Sequence, residues 1–501
     1  MFVISFYRRI ITKEWQSRMK RERIIMKGTQ AGFAGKGEEN KTLFLHNREF
    51  YRSFFAMMLL LVLQNIITYS VNVADNIMLG GYSQAALSAA AACNQIQYIL
   101  QQFTVMGLGE GVVILSSQYW GKQDTDTIQR ISGTAMVCGI LIGGALTLTA
   151  FLVPDRMVGI FTNDPEIIRM GVSYLSIIRY TYLIFIVTNL ILSTLRSVQI
   201  VQIAFVLSCV ELVINAGINY CLIYGHFGFP EMGIHGAAVG TLTANITGLV
   251  ILLIYCKKSR KVPMRLTVAK MFRLRREIFS RYLKVAIPCV VSAIVFASAV
   301  AIQTVIFGHL SSDALAASGV AGTFFQYVKM IPVGASSAAG VHIGKTVGSG
   351  KTGQLRQMVH SLQLIFLLVG CTACVVLLVI RYPVLSFYKL TPTAYAYAVT
   401  QMTIQAFIAI GMSFQMPEQM GIIRAGGDTR YSMISDIVYS WVFVVPLGLI
   451  GCFLLHWPFW AIVLCLNIDQ VLKCFTVTHK VYSYTWIRQL SEPASTDRVV
   501  E

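Results

Sequence analysis

Charge is what this chain has least of. Asp, Glu, Lys and Arg make up 13% of its 501 residues, well under the roughly 25% of an ordinary soluble domain. Hydrophobic residues make up 55%. Acids are the scarcer sign, 23 against 41 bases, which leaves a net charge of +18. Such a balance points to nucleic acid only when the bases form one exposed face. Here they are divided among the gaps between long apolar segments, so no nucleic-acid partner is expected.

Clusters that carry chemistry are missing as well. The eleven cysteines lie mostly inside apolar runs, and the CxxC of Cys371 and Cys374 has no second pair or histidine group to complete it. A zinc site needs four ligands in a defined constellation, so neither a metal centre nor a cofactor is expected, and no disulfide is implied. His309, His342 and His360 are scattered, without a nucleophile–base spacing or a nucleotide motif. That argues against an enzyme, including a polytopic acyl- or glycosyltransferase. Residues 1–50 are basic, with "SRMKRERIIMK", and lack the apolar core and cleavage site of a signal peptide. They read as a cytoplasmic tail close to anionic lipid, or as a short surface helix.

What the chain does have is apolar length. Twelve stretches, near 54–77, 85–115, 131–153, 168–194, 203–225, 236–256, 284–308, 313–343, 358–381, 395–421, 431–455 and 457–479, can each cross about 30 Å of hydrocarbon at about 20 residues per crossing. The second and eighth are long and Gly-rich, and are expected to tilt or bend. Landmarks of the first half recur 227 to 228 residues later: Gly80 and Leu87 as Gly308 and Leu315, Gly121 as Gly348, Pro165 as Pro392, Arg196 as Arg424. This unit is far longer than the roughly 20–50 residues of a solenoid repeat. Each half holds six spans, an even number, so the two halves run parallel about a pseudo-twofold axis along the membrane normal. Duplicated bundles in a membrane are typical of secondary transporters.

The expectation is therefore an all-α polytopic membrane protein with two parallel six-helix lobes, 51–256 and 284–480. A basic connector, 257–283, joins them, and a short tail, 481–501, follows. With the N-terminus inside, the inner segments carry 34 Lys and Arg and the outer loops four: Arg156, Arg169, Arg381 and Lys389. The positive-inside rule then puts both termini in the cytoplasm.

An ionisable residue deep in a bilayer is costly and is by default a functional candidate. Asp75 falls near the outer end of the first span, about 30 Å from the inner surface at 1.5 Å per residue. Glu211 lies in the fifth span, and Glu211, Asn215 and Asn219 share one helix face at i, i+4 and i+8. Asn219 reaches a depth compatible with Asp75. A carboxylate with amide oxygens suits a hard cation. Each residue also has a plainer reading: Asp75 as a helix-end cap with Asn76, Glu211 as a neutral core acid, and the two Asn as interhelical glue. Lys329 and Arg179 also fall inside spans, and Lys329 is placed in a substrate cleft. Glu418, Arg424, Asp428 and Asp436 gather at the inner ends of spans ten and eleven, and read as a structural salt cluster around "RAGGDT".

The text "VADNIMLGG" at 73–81, "SSQYWGKQD" at 116–124, "INAGINYCLIYG" at 214–225, "GIHGAAVGT" at 233–241 and "IIRAGGDT" at 422–429 resembles the multidrug and toxic compound extrusion (MATE) family of antiporters, bacterial type, over residues 45 to 480. The resemblance implies a V-shaped pair of lobes in the bacterial cytoplasmic membrane, as a monomer among lipid. It also implies export of amphipathic, often cationic small molecules against entry of Na⁺ or H⁺. By the same resemblance Asp75 matches a cation-carrying Asp. Asn215 and Asn219 match an Asn and an Asp, and Thr241 a hydroxyl, for which packing is the favoured reading. The departures are Asn219, where the pattern has an acid, and Phe296, where a subgroup has one. A lipid-linked saccharide flippase of related helical plan is the alternative.

Overall fold

The computed structural model describes residues 44–259, 275–388 and 390–491. Most of the basic tail, the middle of the connector, Lys389 and residues 492–501 lie outside the described residues.

The first lobe begins with α1 (Arg48–Tyr82), capped by the Asn47 side chain, and α2 (Gln84–Gly121), capped by Ser83. It continues with α3 (Thr125–Leu152), the short α4 (Pro154–Gly159), α5 (Pro165–Ile178), α6 (Thr181–Ser197), α7 (Gln202–Tyr224) and α8 (Ile234–Lys258). The second lobe holds α9 (Arg276–Leu310), α10 (Ser312–Gly348), α11 (Leu355–Leu385), α12 (Pro392–Ile423), α13 (Thr429–Leu454) and α14 (Phe459–Ser483). α5 and α6 meet at 50° and together make one apolar crossing, and ten further helices are long and apolar enough to cross alone. α10 completes the twelve. It has 37 residues but is less apolar, because it carries Asp313, Lys329 and Lys345 and is rich in Gly, Ala and Ser. α1 and α9 start several residues before their apolar stretches, because a polar helix start needs no hydrocarbon around it. α2 bends through a π-helical segment at Gln102–Gly109.

The duplication is visible atom by atom. α1 and α9 have 35 residues each, and Ser83 and Ser311 cap the helices that follow them. A Cβ on Gly80 would touch Leu87 Cδ2 at 3.3 Å, and one on Gly308 would touch Leu315 Cδ2 at 4.0 Å, which explains the repeated Gly–Leu pair. The lobes also meet symmetrically. A Cβ on Gly107 of α2 would stand 2.5 Å from Val290 Cγ2 of α9, and a Cβ on Gly334 of α10 would stand 2.5 Å from Val62 Cγ2 of α1. On the axis itself, Gly121 and Gly348 face each other's helix: their Cβ atoms would strike Lys345 O at 2.2 Å and Gln118 O at 1.9 Å. Small residues let helix backbones close to this distance. These crossings involve the ends of α2 and α10 that lie beside the start of α1, hereafter the basal end.

After α14 the chain folds across the basal end of both lobes. The Trp486 side chain is fully buried against Gly426, where a Cβ would stand 2.1 Å from its ring. Ile487 bridges to Gly427, whose φ of 109° suits glycine. The strap then reaches the first lobe: Leu490 N donates to Gln118 Oε1, Gln118 Nε2 donates to Arg488 O, and Lys122 donates to Ser491 O. Leu490 lies against Ile114, Val285 and Cys289. The tail expected after residue 480 is thus helix to Ser483 and then an ordered strap.

Candidate functional site

α7 and α8 run antiparallel, joined through left-handed turns at Gly225 and Gly233. Their contact is a polar stripe laid on a small-residue stripe. Asn219 and Glu211 on α7 face Gly240 and Gly248 on α8. A Cβ on Gly240 would come within 2.1 Å of Asn219 Oδ1, and one on Gly248 within 2.3 Å of Glu211 Oε1. Side chains of this size fit only because α8 offers bare backbone at those positions.

α1 closes the site from the other side. Asn219 Nδ2 donates to Asp75 Oδ1 at 2.6 Å and to Asn215 Oδ1 at 3.3 Å, and Asn215 Nδ2 donates to Thr241 Oγ1 at 3.2 Å. Asn215 and Asn219 are 1% and 0% exposed, so this chain is shielded from solvent. Asp75 is not a helix-end cap. α1 runs seven residues beyond it to Tyr82, and the carboxylate is spent on Asn219. Four of the five residues singled out for a cation, Asp75, Asn215, Asn219 and Thr241, are therefore brought together. Glu211 is not joined to them by any hydrogen bond among the described residues. Two helical turns from Asn219, it lies against Gly248 instead, while Asn215 turns toward Asn219 and Thr241.

Two members of the site had gone unnoticed. Tyr174, 3% exposed on α5, lies near Thr241 and close enough to Asp75 to feel its charge. An aromatic on an apolar helix gives no signal that it faces a carboxylate. Gly240 did carry a signal, as the last glycine of "GAAVGT". The Asn219 Oδ1 that it accommodates is buried without a hydrogen-bond partner. No Lys or Arg ion-pairs with Asp75 or Glu211 among the described residues, whereas Glu110 of the same lobe pairs with Arg196 at 3.4 Å. Oxygens on Asp75, Asn215, Asn219, Thr241 and Tyr174 are the groups that could accept a cation. No group of three His, Cys, Asp or Glu is placed to hold a metal among the described residues.

The second lobe does not repeat this arrangement. Gln303 stands 228 residues after Asp75 and donates to the Leu466 carbonyl. The polar residues at the basal end divide into separate groups. Arg424 pairs with Asp436 at 2.9 Å, and Asp436 also takes Lys473 at 3.2 Å, which reaches Asp469 at 3.5 Å. Asp428 caps α13 through Tyr431 N and pairs with Lys480 and Arg488 at 3.0 and 3.2 Å, so it anchors the strap. Glu418 corrects the expected salt cluster: it forms no ion pair among the described residues and instead accepts from Gln363 Nε2 and the Thr478 hydroxyl. Fully buried on the π-helical end of α12, it faces α11 and α14 rather than Arg424. Lys329 sits with its Nζ 4.4 Å from the Phe296 ring centroid. Arg179, at the break between α5 and α6, lies 3.6 Å over Phe151.

The sequence model of the MatE family matches residues 61–221 and again 288–450, one match in each lobe and at the repeat spacing. The probable multidrug resistance protein NorM of Rhizobium meliloti is 27% identical over 401 residues, covering 76% of this chain and 84% of that protein. The probable multidrug resistance protein YoeA of Bacillus subtilis is 24% identical over 410 residues, covering 80% and 86%. Among solved structures, the Vibrio cholerae MATE transporter VcmN in its bent form superposes with a TM-score of 0.78 at 15% identity, covering 88% of this chain and 98% of that one.

Proposed function

The chain belongs to the MatE family, and on that footing we propose that it is a secondary active exporter of small amphipathic molecules. Its family is one of transporters, not enzymes, and its apolar helices make it a multi-pass membrane protein. In the reading offered here, substrate enters the cleft between the lobes from the cytoplasm. A cation entering from outside then binds at Asp75, changes the packing of the first lobe and favours release of the substrate to the outside. Such a cycle requires the cation to bind the inward- and outward-facing arrangements unequally, since equal binding shifts nothing. The basal end faces the cytoplasm, with both termini there, and the working unit is a monomer.

One observation carries this reading. Asp75 is a membrane-span carboxylate without a basic partner, held by a buried amide chain from a second helix of its own lobe. Charge change at Asp75 therefore acts directly on the packing of α1 against α7. The favoured coupling ion is H⁺. Asn219 turns its N–H, not its oxygen, toward Asp75, and the Asn215 oxygen already accepts from Asn219. A hard metal cation needs several oxygens converging on one point, whereas a proton needs only the carboxylate. The close glycine crossings and the strap favour a resting shape closed at the basal end.

The experiment is substrate efflux from proteoliposomes under separately imposed H⁺ and Na⁺ gradients. A proton gradient should drive efflux in the native protein and not in Asp75→Asn. Efflux that ignores both gradients would refute the antiport reading.

A further inference from the structure

In the second lobe the ammonium of Lys329 lies within a span and has no acid of the lobe paired to it among the described residues. Arg424, Lys473, Asp436 and Asp469 form a balanced set of ion pairs, and Lys480 and Arg488 answer Asp428. Lys329 stands apart. No carboxylate lies within 4.0 Å of its ammonium among the described residues, and the ammonium stands over the face of Phe296 on α9. Asp469 acts on it from farther away, but is already engaged by Lys473 and by Gln470 Nε2. Lys329 lies 17 residues into α10, about 26 Å along the helix at 1.5 Å per residue. An ammonium at that depth without a counter-charge is costly to keep, and a cation–π contact offsets only part of the cost.

Its surroundings show where a counter-charge could come from. At this level α10 meets the first lobe: Tyr327 packs edge-on against Tyr69 of α1 at 4.9 Å, and its hydroxyl lies 3.4 Å from that of Ser70. Phe296 is 39% exposed, so the Lys329–Phe296 pair is not sealed inside a core. In the first lobe Asp75 and Glu211 lack basic partners among the described residues. Fixed charges of opposite sign thus stand in opposite lobes, each without its partner.

We propose that Lys329 and Phe296 form a subsite for the transported molecule, in which the ammonium binds a carboxylate and the ring packs against an adjoining aromatic group. The preferred substrates are then aromatic amphiphiles that carry an acid, zwitterionic or anionic, rather than plain lipophilic cations. This rests on the exporter reading above for its setting, but it concerns binding and needs no ion gradient.

The test uses the full-length protein and two dyes, a rhodamine with a free benzoate and the methyl ester of the same rhodamine. Binding is measured by fluorescence polarisation without a gradient, and transport in proteoliposomes with one. The native protein should bind the free acid more tightly than the ester. Lys329→Met keeps the stem over Phe296 and should weaken the acid about tenfold or more, as loss of a charge-assisted contact does, with the ester unchanged. Lys329→Arg should restore the acid. A native protein that binds the ester as tightly as the acid overturns the proposal without recourse to any variant. So does a Lys329→Met protein that loses both dyes equally, with no rescue by Lys329→Arg. Asp75→Asn separates the two readings: it should stop gradient-driven transport of both dyes and leave the preference for the acid in place.

Discussion

Replacing Gly240 with alanine places one methyl group where the candidate cation site has no room for it. The new Cβ would lie 2.1 Å from Asn219 Oδ1, 3.2 Å from its Cγ and 3.5 Å from its backbone N. Asn219 is the far end of a side chain, so it can move, but α1 lies behind it. Moving it breaks the 2.6 Å bond to Asp75. Overpacking a close-packed site costs about 1–3 kcal/mol, and a hydrogen bond to a charged group contributes about 1.5–3 kcal/mol. A displaced Asn219 recovers part of each by relaxing, so a net cost of about 2 kcal/mol at the site is the expectation, or about a thirtyfold loss in an equilibrium. Gradient-driven efflux by Gly240→Ala in proteoliposomes should therefore fall by about tenfold or more, with the protein still inserted and monodisperse. Gly217 on α7 is the matched control, because a Cβ there meets nothing within 4 Å. Gly217→Ala should transport normally and gain about 0.5–1 kcal/mol of helix stability. If Gly240→Ala drives efflux as well as Gly217→Ala does, the Asp75–Asn219 contact is not part of coupling and the site is misplaced.

Other outcomes follow from the same geometry. Asp75→Asn should abolish gradient-driven efflux while leaving the melting temperature within a few degrees, since the volume is almost unchanged. Glu211→Gln should be nearly silent, with efflux within about threefold of native, a difference under 1 kcal/mol. A strong defect would instead make Glu211 the carrier of the charge that Asn219 lacks, and Asn219→Asp in that background should then restore part of the activity. Trp486→Ala removes a fully buried side chain from the strap, at about 3–5 kcal/mol for a large-to-small change. It should expose Cys289, which is 1% exposed beneath Leu490, to a membrane-impermeant maleimide in a background retaining that cysteine alone; unchanged labelling would mean that the strap does not close the basal end. Single cysteines at 257, 281 and 488 should label from the cytoplasmic side, and labelling of position 257 from outside would overturn the orientation.

Architecture was the readable part of this sequence, because hydrocarbon thickness and pairwise identity between halves both leave marks on the chain itself. Span length, the 227 to 228 offset and the helix pairing behind Gly80 and Leu87 all reappear in three dimensions. The meeting of Asp75 with Asn219 was half legible: depth along two helices suggested it, and a shared face linked Asn215 to Asn219. What sequence spacing cannot supply is which face of α7 turns to α8 and which to α1. That is why Glu211 looked like a member of the chain and Tyr174 did not. The division of the basal charges was hidden for a related reason. Glu418 and Arg424 are close in sequence, but the π-helical turns at Pro417–Ile423 rotate them toward different neighbours. The strap was unreadable because eight residues without periodicity look like any tail. Its anchors are glycines of "RAGGDT", some sixty residues upstream.

The strap also bears on how the molecule is made. Residues 484–491 follow every described helix, so they emerge after all of them. The bonds from Leu490 and Arg488 to Gln118, and from Ser491 to Lys122, cannot form until the last helix has been inserted. Until then the first lobe must hold its place by the large core cluster that begins at Leu79, most of whose residues are its own, with Tyr282 and Ala286 of α9 added. Clasping of the two lobes by the strap is thus a late assembly event that reports on completion of the second lobe. A ribosome stalled after α8 should leave a first lobe that is inserted and packed but not yet clasped.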